Sequence, residues 1–182
     1  MRGLAFVALL GLGSAGCKGV SISVSDSSEV LVERGTPLEI LLSDLSFGEF
    51  ANLDITSRDA VANQGVEPGD INSVRFDELV LTATDPSGSD LSFLDSLEFY
   101  VEADGLPQVL VASSSDFPVG QAEVPLDLED LDLTEYVVQD SMTLTTDVSG
   151  SRPDVDTVVE AAFTLRIRAT GKGIFGQLKK KE

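Results

Sequence analysis

Alternation of apolar and polar residues with a period of two is the feature that most restricts the fold of this chain. It is clearest in LEFYVEAD (97–104) and in EAAFTLRIRAT (160–170), and it recurs in VSISV (20–24). Successive side chains of a strand point to opposite faces, so this pattern predicts strands with one buried face and one solvated face. Such strands are typical of antiparallel sheets. The apolar positions of the first stretch are Leu97, Phe99, Val101 and Ala103.

Two further features predict how the strands are interrupted and joined. In VRFDELVLTATD (74–85) the apolar positions change phase after Phe76, which indicates a β-bulge near Asp77. The residues GLP (105–107) are typical of a turn, so QVLVAS (108–113) is expected to be the hairpin partner of LEFYVEAD.

The number and spacing of these segments indicate the fold class. PLEILL (37–42) and MTLTTDV (142–148) are further predicted strands, which brings the total to seven to nine. Only SRDAVANQG (57–65) and DLTEYVVQD (132–140) suit short connecting helices. We therefore predict an all-β fold, an antiparallel two-sheet sandwich of the immunoglobulin-like kind, as a single domain over residues 20–170. A closed barrel is the alternative.

Charge and missing residue types exclude several classes of function. The chain has 12 basic and 31 acidic residues, a net charge of −19, so it repels phosphate backbones and we expect no nucleic-acid partner. It has no histidine, so Ser-His-Asp and Cys-His catalytic systems cannot form. Its single cysteine excludes an intrachain disulfide and multi-cysteine zinc sites. We therefore expect a protein that is not an enzyme and needs no cofactor.

The amino-terminal segment has the three parts of a secretory signal. Arg2 supplies a positive charge, LAFVALLGLG (4–13) an apolar run and SAGC (14–17) the small residues that precede cleavage. The apolar run is well short of the roughly 20 residues that span a bilayer as a permanent helix.

The residues around the single cysteine resemble the lipobox of bacterial lipoproteins. Ala15, Gly16 and Cys17 match it, while Ser14 stands where that family favours leucine or another aliphatic residue. The resemblance implies cleavage between Gly16 and Cys17, loss of a signal peptide at 1–16, and lipid on the new terminal cysteine. Two or three acyl chains would anchor the protein stably in a membrane. An ordinary signal peptide with small-x-small cleavage is the alternative.

The rest of the chain is similar to small uncharacterised bacterial lipoproteins with β-sandwich folds. The similarity lies in DITSRDAVANQGVEPGDINSV (54–74), in residues 90–113 and in residues 132–167. It implies a fold and a membrane anchor but no activity. Residues 17–19 would then be the lipidated cysteine and a short spacer, and residues 171–182 a flexible basic tail.

These observations predict an exported protein of the bacterial cell envelope, anchored to the membrane through its lipid. Lys18 stands where an aspartate would signal retention in the inner membrane, so the outer membrane is preferred. Within the envelope we expect a non-catalytic binding or structural module whose partner is an unidentified protein or glycan. A glycosidase-like hydrolase that uses paired carboxylates is the alternative.

Clusters of acidic residues raise a calcium hypothesis. PLDLEDLDLTEY (125–136) and TDPSGSD (84–90) carry oxygen ligands of the kind that Ca²⁺ prefers, and SGSRPDVD (149–156) is similar. None of them has the D-x-[DN]-x-[DN]-G pattern of a calcium loop. The ordinary interpretation is a tight turn for the second stretch, and two strand phases around a bulge for the first. The candidate ligands are Asp127, Glu129, Asp130, Asp132, Asp85 and Asp90.

Overall fold

The structure is a computed structural model that describes residues 19–35, 66, 68–139 and 142–170. Eight strands and one helical turn are found in these residues. The strands are β1 (Val20–Val32), β2 (Ile71–Asp85), β3 (Leu94–Ala103), β4 (Val109–Ser114), β5 (Glu123–Pro125), β6 (Asp127–Leu128), β7 (Met142–Gly150) and β8 (Thr157–Ala169). A 3-10 turn (Pro68–Asp70) precedes β2, and the helical turn α1 (Thr134–Val137) lies between β6 and β7.

The strands form two antiparallel sheets of four strands each. The first sheet has the order β1-β8-β2-β5 and the second β6-β4-β3-β7. The predicted two-sheet sandwich is confirmed. The sheets do not close on each other, so the alternative of a barrel is wrong.

The core lies between the two sheets, as the alternation predicts. The alternate residues of β3 and β8 are buried, and Phe99 and Leu165 are 0 % exposed. Phe76 of β2 and Phe163 of β8 pack edge to face on the buried face of the first sheet, with ring centroids 5.8 Å apart. Edge-to-face packing of this kind is the favoured geometry of aromatic pairs.

Three local predictions, of a bulge, a hairpin and a short helix, are confirmed by the structure. The pairing of β2 with β8 shifts between Phe76 and Glu78, which is the predicted bulge near Asp77. β3 and β4 pair as an antiparallel hairpin around residues 104–108. The predicted helix in 132–140 is the single turn α1, which begins at Thr134.

The prediction of two strand phases within PLDLEDLDLTEY is wrong. β5 belongs to the first sheet and β6 to the second, and only Leu126 separates them. The chain therefore changes sheets at this buried leucine, and the residues from 129 to 133 form no strand. The apolar phase is constant across this change of sheet, at Val124, Leu126 and Leu128, and it shifts only after β6, in the non-strand residues that lead to α1.

Strand register defines two ends of the sandwich. At the terminal end, Val20 of β1 lies opposite Ala169 of β8, and Ile71 of β2 pairs with the same residue. At the other end, the loop end, Val32 pairs with Thr157. The connections 86–93, 115–122 and 151–156 meet there. β1 has 13 residues, so the two ends are roughly 40 Å apart at about 3.3 Å per residue.

Several predictions fall on residues that the structure does not describe. They concern Cys17 and the signal segment, the strand at 37–42, the helix at 57–65 and the tail at 171–182. In the part of the chain that is described, no helix has the length and apolar character needed to cross a bilayer.

Candidate functional site

A polar cavity of about 290 Å³ opens at the loop end, between the connection from β2 to β3 and the connection from β7 to β8. The two connections are about sixty residues apart in sequence and come from different pairs of strands. Most of the side chains that line it carry hydroxyl or charged groups. The lining residues are Gly88, Ser89, Asp90, Ser92, Phe93, Ser151, Arg152, Pro153, Asp154, Val155 and Thr157.

Hydrogen bonds to Asp90 hold the first connection in place. Its Oδ1 accepts from the backbone N–H of Ser92 at 3.0 Å and from the Ser92 hydroxyl at 2.6 Å. Its Oδ2 accepts from the N–H of Gly120 at 2.6 Å, which ties the 115–122 connection to the same carboxylate. The Ser92 hydroxyl, followed by the N–H groups of Gly120 and Ser92, holds the pKa of Asp90 below its usual 3.8 against a smaller effect of burial. Asp90 is thus an ionised structural carboxylate.

Close backbone packing positions the second connection. The N–H of Ser151 donates to the carbonyl oxygen of Phe93 at 2.7 Å. Gly150 lies so close to the first connection that a Cβ on it would be 2.3 Å from the same oxygen. The start of β3 and the end of β7 therefore fix the two walls of the cavity against each other.

Three polar groups at the cavity are not used by the fold. Arg152 and Asp154 are exposed, and neither has a hydrogen bond or an ion pair among the described residues. The Oγ of Ser89 is buried and has no hydrogen-bond partner in the same part of the chain. A buried hydroxyl without a partner is unfavourable, and the exposed charged groups of Arg152 and Asp154 are available to a ligand.

The acidic stretch predicted as a calcium site runs from the middle of the sandwich towards the terminal end, and none of its residues lines the cavity. Asp130 forms an ion pair with Arg75 of β2. Asp127 and Glu129 are exposed. Within the described ranges, no three carboxylates or other metal-binding side chains come together in a group that could hold a metal ion. The four candidates of this stretch are therefore not assembled into one site.

Asp132 has a structural role in the same stretch. β5 pairs only with Val80–Thr82 of β2. Nearer the start of β2, where β5 does not reach, the side chain of Asp132 accepts a hydrogen bond from the edge of the strand. Its Oδ1 accepts from the N–H of Val74 at 3.3 Å and from the N–H of Thr134 at 3.0 Å, while the Leu133 N–H donates to the Val74 carbonyl at 2.8 Å. Burial raises the pKa of Asp132, but hydrogen bonds from Thr134, Ser73 and Val74 outweigh this and lower it.

The two remaining calcium candidates, Asp85 and Asp90, are not both at the cavity. Asp85 is exposed at the end of β2 and does not line the cavity, whereas Asp90 does. The sequence stretches TDPSGSD and SGSRPDVD, each a separate candidate for a cation, contribute opposite walls of one cavity. Their proximity has no signal in the sequence, because it follows from the pairing of β3 with β7.

Tyr100 lies on the solvated face of the second sheet. Its hydroxyl donates to Oε2 of Glu98 at 2.6 Å. This hydrogen bond to a carboxylate is the main cause that raises the pKa of Tyr100 above its usual 10.0. The pair lies on the acidic face of β3, and neither residue lines the cavity.

Comparison with known proteins does not assign this chain to a family. No protein-family model and no curated protein matches the chain. A chain in a solved structure of turnip yellow mosaic virus is 14 % identical to it, with 93 % of this chain and 91 % of that chain covered and a TM-score of 0.29. A TM-score this low carries no argument about fold or function.

Proposed function

We propose that the protein is an exported bacterial lipoprotein, anchored to the outer membrane through Cys17, whose sandwich is a non-catalytic binding module. The position of the terminal end carries this proposal. Gly19 is only two residues from Cys17 and lies beside Ala169, so close that a Cβ on Gly19 would be 3.2 Å from the Ala169 carbonyl oxygen. A lipid on Cys17 would hold this end at the bilayer and direct the loop-end cavity away from it, at a distance of roughly 40 Å.

The lowered pKa of Asp90 and the exposure of Asp154 support a binding role for the cavity rather than glycoside hydrolysis. Glycoside hydrolysis needs one carboxylic acid that keeps its proton near neutral pH, which requires a raised pKa. Asp90 has the opposite shift, and its oxygens are occupied by three hydrogen bonds. Among the residues that line the cavity, Asp154 is the other carboxylate, and it is exposed.

The anchor is tested by mass spectrometry of the protein extracted from membranes with detergent. We expect a mature chain that begins at Cys17 and carries the additional mass of a diacylglyceryl group and an acyl group. Cys17→Ser should lose this mass, and the control Ser21→Ala should keep it, because it changes an exposed serine of β1 and leaves the cysteine intact. A mature chain with an unmodified thiol would show an ordinary signal peptide and overturn the proposal.

The preferred membrane is tested separately by separating inner and outer membranes on a density gradient. We expect the wild-type protein to sediment with outer-membrane markers. Sedimentation with the inner membrane would keep the lipid anchor but overturn the assignment to the outer membrane.

A further inference from the structure

We propose that the loop-end cavity binds a small zwitterion, which is a free amino acid or a short peptide, with Arg152 holding the carboxylate and Asp154 the ammonium group. This inference rests on the binding role proposed above and is independent of the lipid anchor. It starts from two opposite charges that line one cavity and are unpaired within the described residues.

Arg152 is unpaired, unlike two other arginines of the sandwich, and it lines a cavity, unlike Arg168, which also has no ion pair among the described residues. Arg75 is paired with Asp130, and Arg166 is paired with Asp77 at 2.6 Å. Both of these pairs lie on the sheet surface, where they serve the protein itself. A guanidinium offers a planar pair of donors that matches a carboxylate, so the free one at the cavity suits a carboxylate of a ligand.

Net charge favours a zwitterion over a simple anion or a simple cation. One arginine and two aspartates line the cavity, so its formal charge is 1 − 2 = −1, and the whole chain carries −19. An anion is repelled by this field before it reaches Arg152. A cation would pair with Asp154 but would leave the guanidinium without a partner. A zwitterion has no net charge to be repelled and pairs with both groups.

The size and the walls of the cavity set the size of the ligand. A volume of about 290 Å³ is at the lower limit of small-molecule sites, which typically measure about 300–1,000 Å³. Phe93 and Pro153 are buried in the wall, and Val155 is 48 % exposed at its rim. These apolar groups suit a small aliphatic side chain, and the buried Ser89 hydroxyl in the same wall has no hydrogen-bond partner among the described residues.

The test is a calorimetric titration of the full-length protein in detergent with glycine, L-alanine, D-alanine, L-valine and L-alanyl-L-alanine. We expect saturable binding of at least one of them, and the single amino acids and the dipeptide distinguish the two sources of a zwitterion. N-acetyl-L-alanine lacks the ammonium group and L-alaninamide lacks the carboxylate, so each should bind at least about tenfold more weakly, the effect of losing one charged hydrogen bond.

Matched variants assign the two charges. Arg152→Gln and Asp154→Asn should each weaken binding of the zwitterion by about tenfold or more. Arg168→Gln and Asp104→Asn remove the same charges from exposed residues near the terminal end and should leave the affinity unchanged. Circular dichroism of all four variants checks that the sheets remain folded.

The outcomes that overturn this inference differ from those that overturn the anchor. Absence of saturable binding by every zwitterion, equal binding of the amide or the acetylated compound, or unchanged affinity in Arg152→Gln and Asp154→Asn would each reject it. Methyl glucoside is titrated in parallel as a neutral sugar. If it binds and the zwitterions do not, the zwitterion is rejected as the ligand, while the proposed binding role of the sandwich is kept. The lipid mass on Cys17 is unaffected by any of these results.

Discussion

Val20 and Ala169 lie directly opposite each other in the antiparallel pair of β1 and β8. Next to them, the N–H of Thr170 donates to the carbonyl oxygen of Asp70 at 2.8 Å, so the strand ends and the 3-10 turn close one end of the sandwich together. The cavity is at the opposite end of the same strands. The proposed points of attachment and binding are thus separated by the full length of β1.

A prediction about the hydrophobic core compares the loss of stability when two leucine side chains of the first sheet are removed. Leu165→Ala should lower the free energy of unfolding by about 2–5 kcal/mol, because the side chain is fully buried and its removal leaves a cavity. Leu31→Ala, at a position that is 52 % exposed, should change it by less than about 0.5 kcal/mol. Urea unfolding followed by circular dichroism measures both values. Equal losses for the two variants would contradict the assigned orientation of these strands.

Asp132 should make stability depend on pH. Its pKa in the folded protein is below the ordinary 3.8, so its contribution is fully present above 3.8 and is lost as the pH falls through the lower native value. Asp132→Ala should therefore be less stable than wild type at pH 7, and the difference should narrow in strong acid. Urea unfolding across this pH range tests it.

The control for this experiment is Asp127→Ala. The side chain of Asp127 is exposed on β6 and has no hydrogen bond or ion pair among the described residues, so its removal should leave stability at pH 7 unchanged. A loss at Asp127 as large as that at Asp132 would show that total charge, and not the bonding of Asp132 to the β2 edge, controls stability.

Gly150 should not tolerate a side chain. A Cβ would lie 2.3 Å from the Phe93 carbonyl oxygen and 2.9 Å from the Leu94 Cα, and backbone atoms at these positions cannot move without separating β7 from β3. We expect Gly150→Ala to cost about 1–3 kcal/mol. Gly69→Ala is the matched control, since nothing lies within 4 Å of its Cβ position. Thermal unfolding of the two variants provides the comparison.

Ser89→Ala separates the stability of the empty cavity from its ability to bind. Its Oγ is buried without a partner in the described part of the chain, so removing it should leave the melting temperature unchanged or raise it. If the hydroxyl contacts a bound zwitterion, the same variant should bind more weakly. A clear drop in melting temperature would mean that Ser89 has a structural partner and is not available to a ligand.

The strands could be predicted because their signal is local. In β8, and in β3 from Leu97 to Val101, burial follows from the parity of each residue, and the bulge near Asp77 appears in sequence as a change of parity. β5 and β6 could not be resolved in this way. They are three and two residues long, and the alternation of Val124, Leu126 and Leu128 continues unbroken across the change of sheet, as it would within one strand.

The cavity could be predicted only in part. Both stretches that form its walls are notable for their glycine, serine and aspartate residues, which are also the residues of ordinary turns. That Phe93 meets Ser151 depends on the register of β3 against β7, a long-range pairing that composition does not encode. The role of Asp132 has no sequence signal for the same reason, since its partner Val74 is 58 residues away.

The thirteen-residue pairing of β1 with β8 also has a mechanical consequence. A force that pulls Gly19 away from the loop end acts along the axis of β1, while the hydrogen bonds to β8 run perpendicular to that axis. The load is then shared by the whole ladder in shear, and the bonds cannot open one after another as they would if the strand were peeled from its end. A protein held at one end of this sandwich and loaded at the other should therefore resist extension better than one whose terminal strand is peeled from its end.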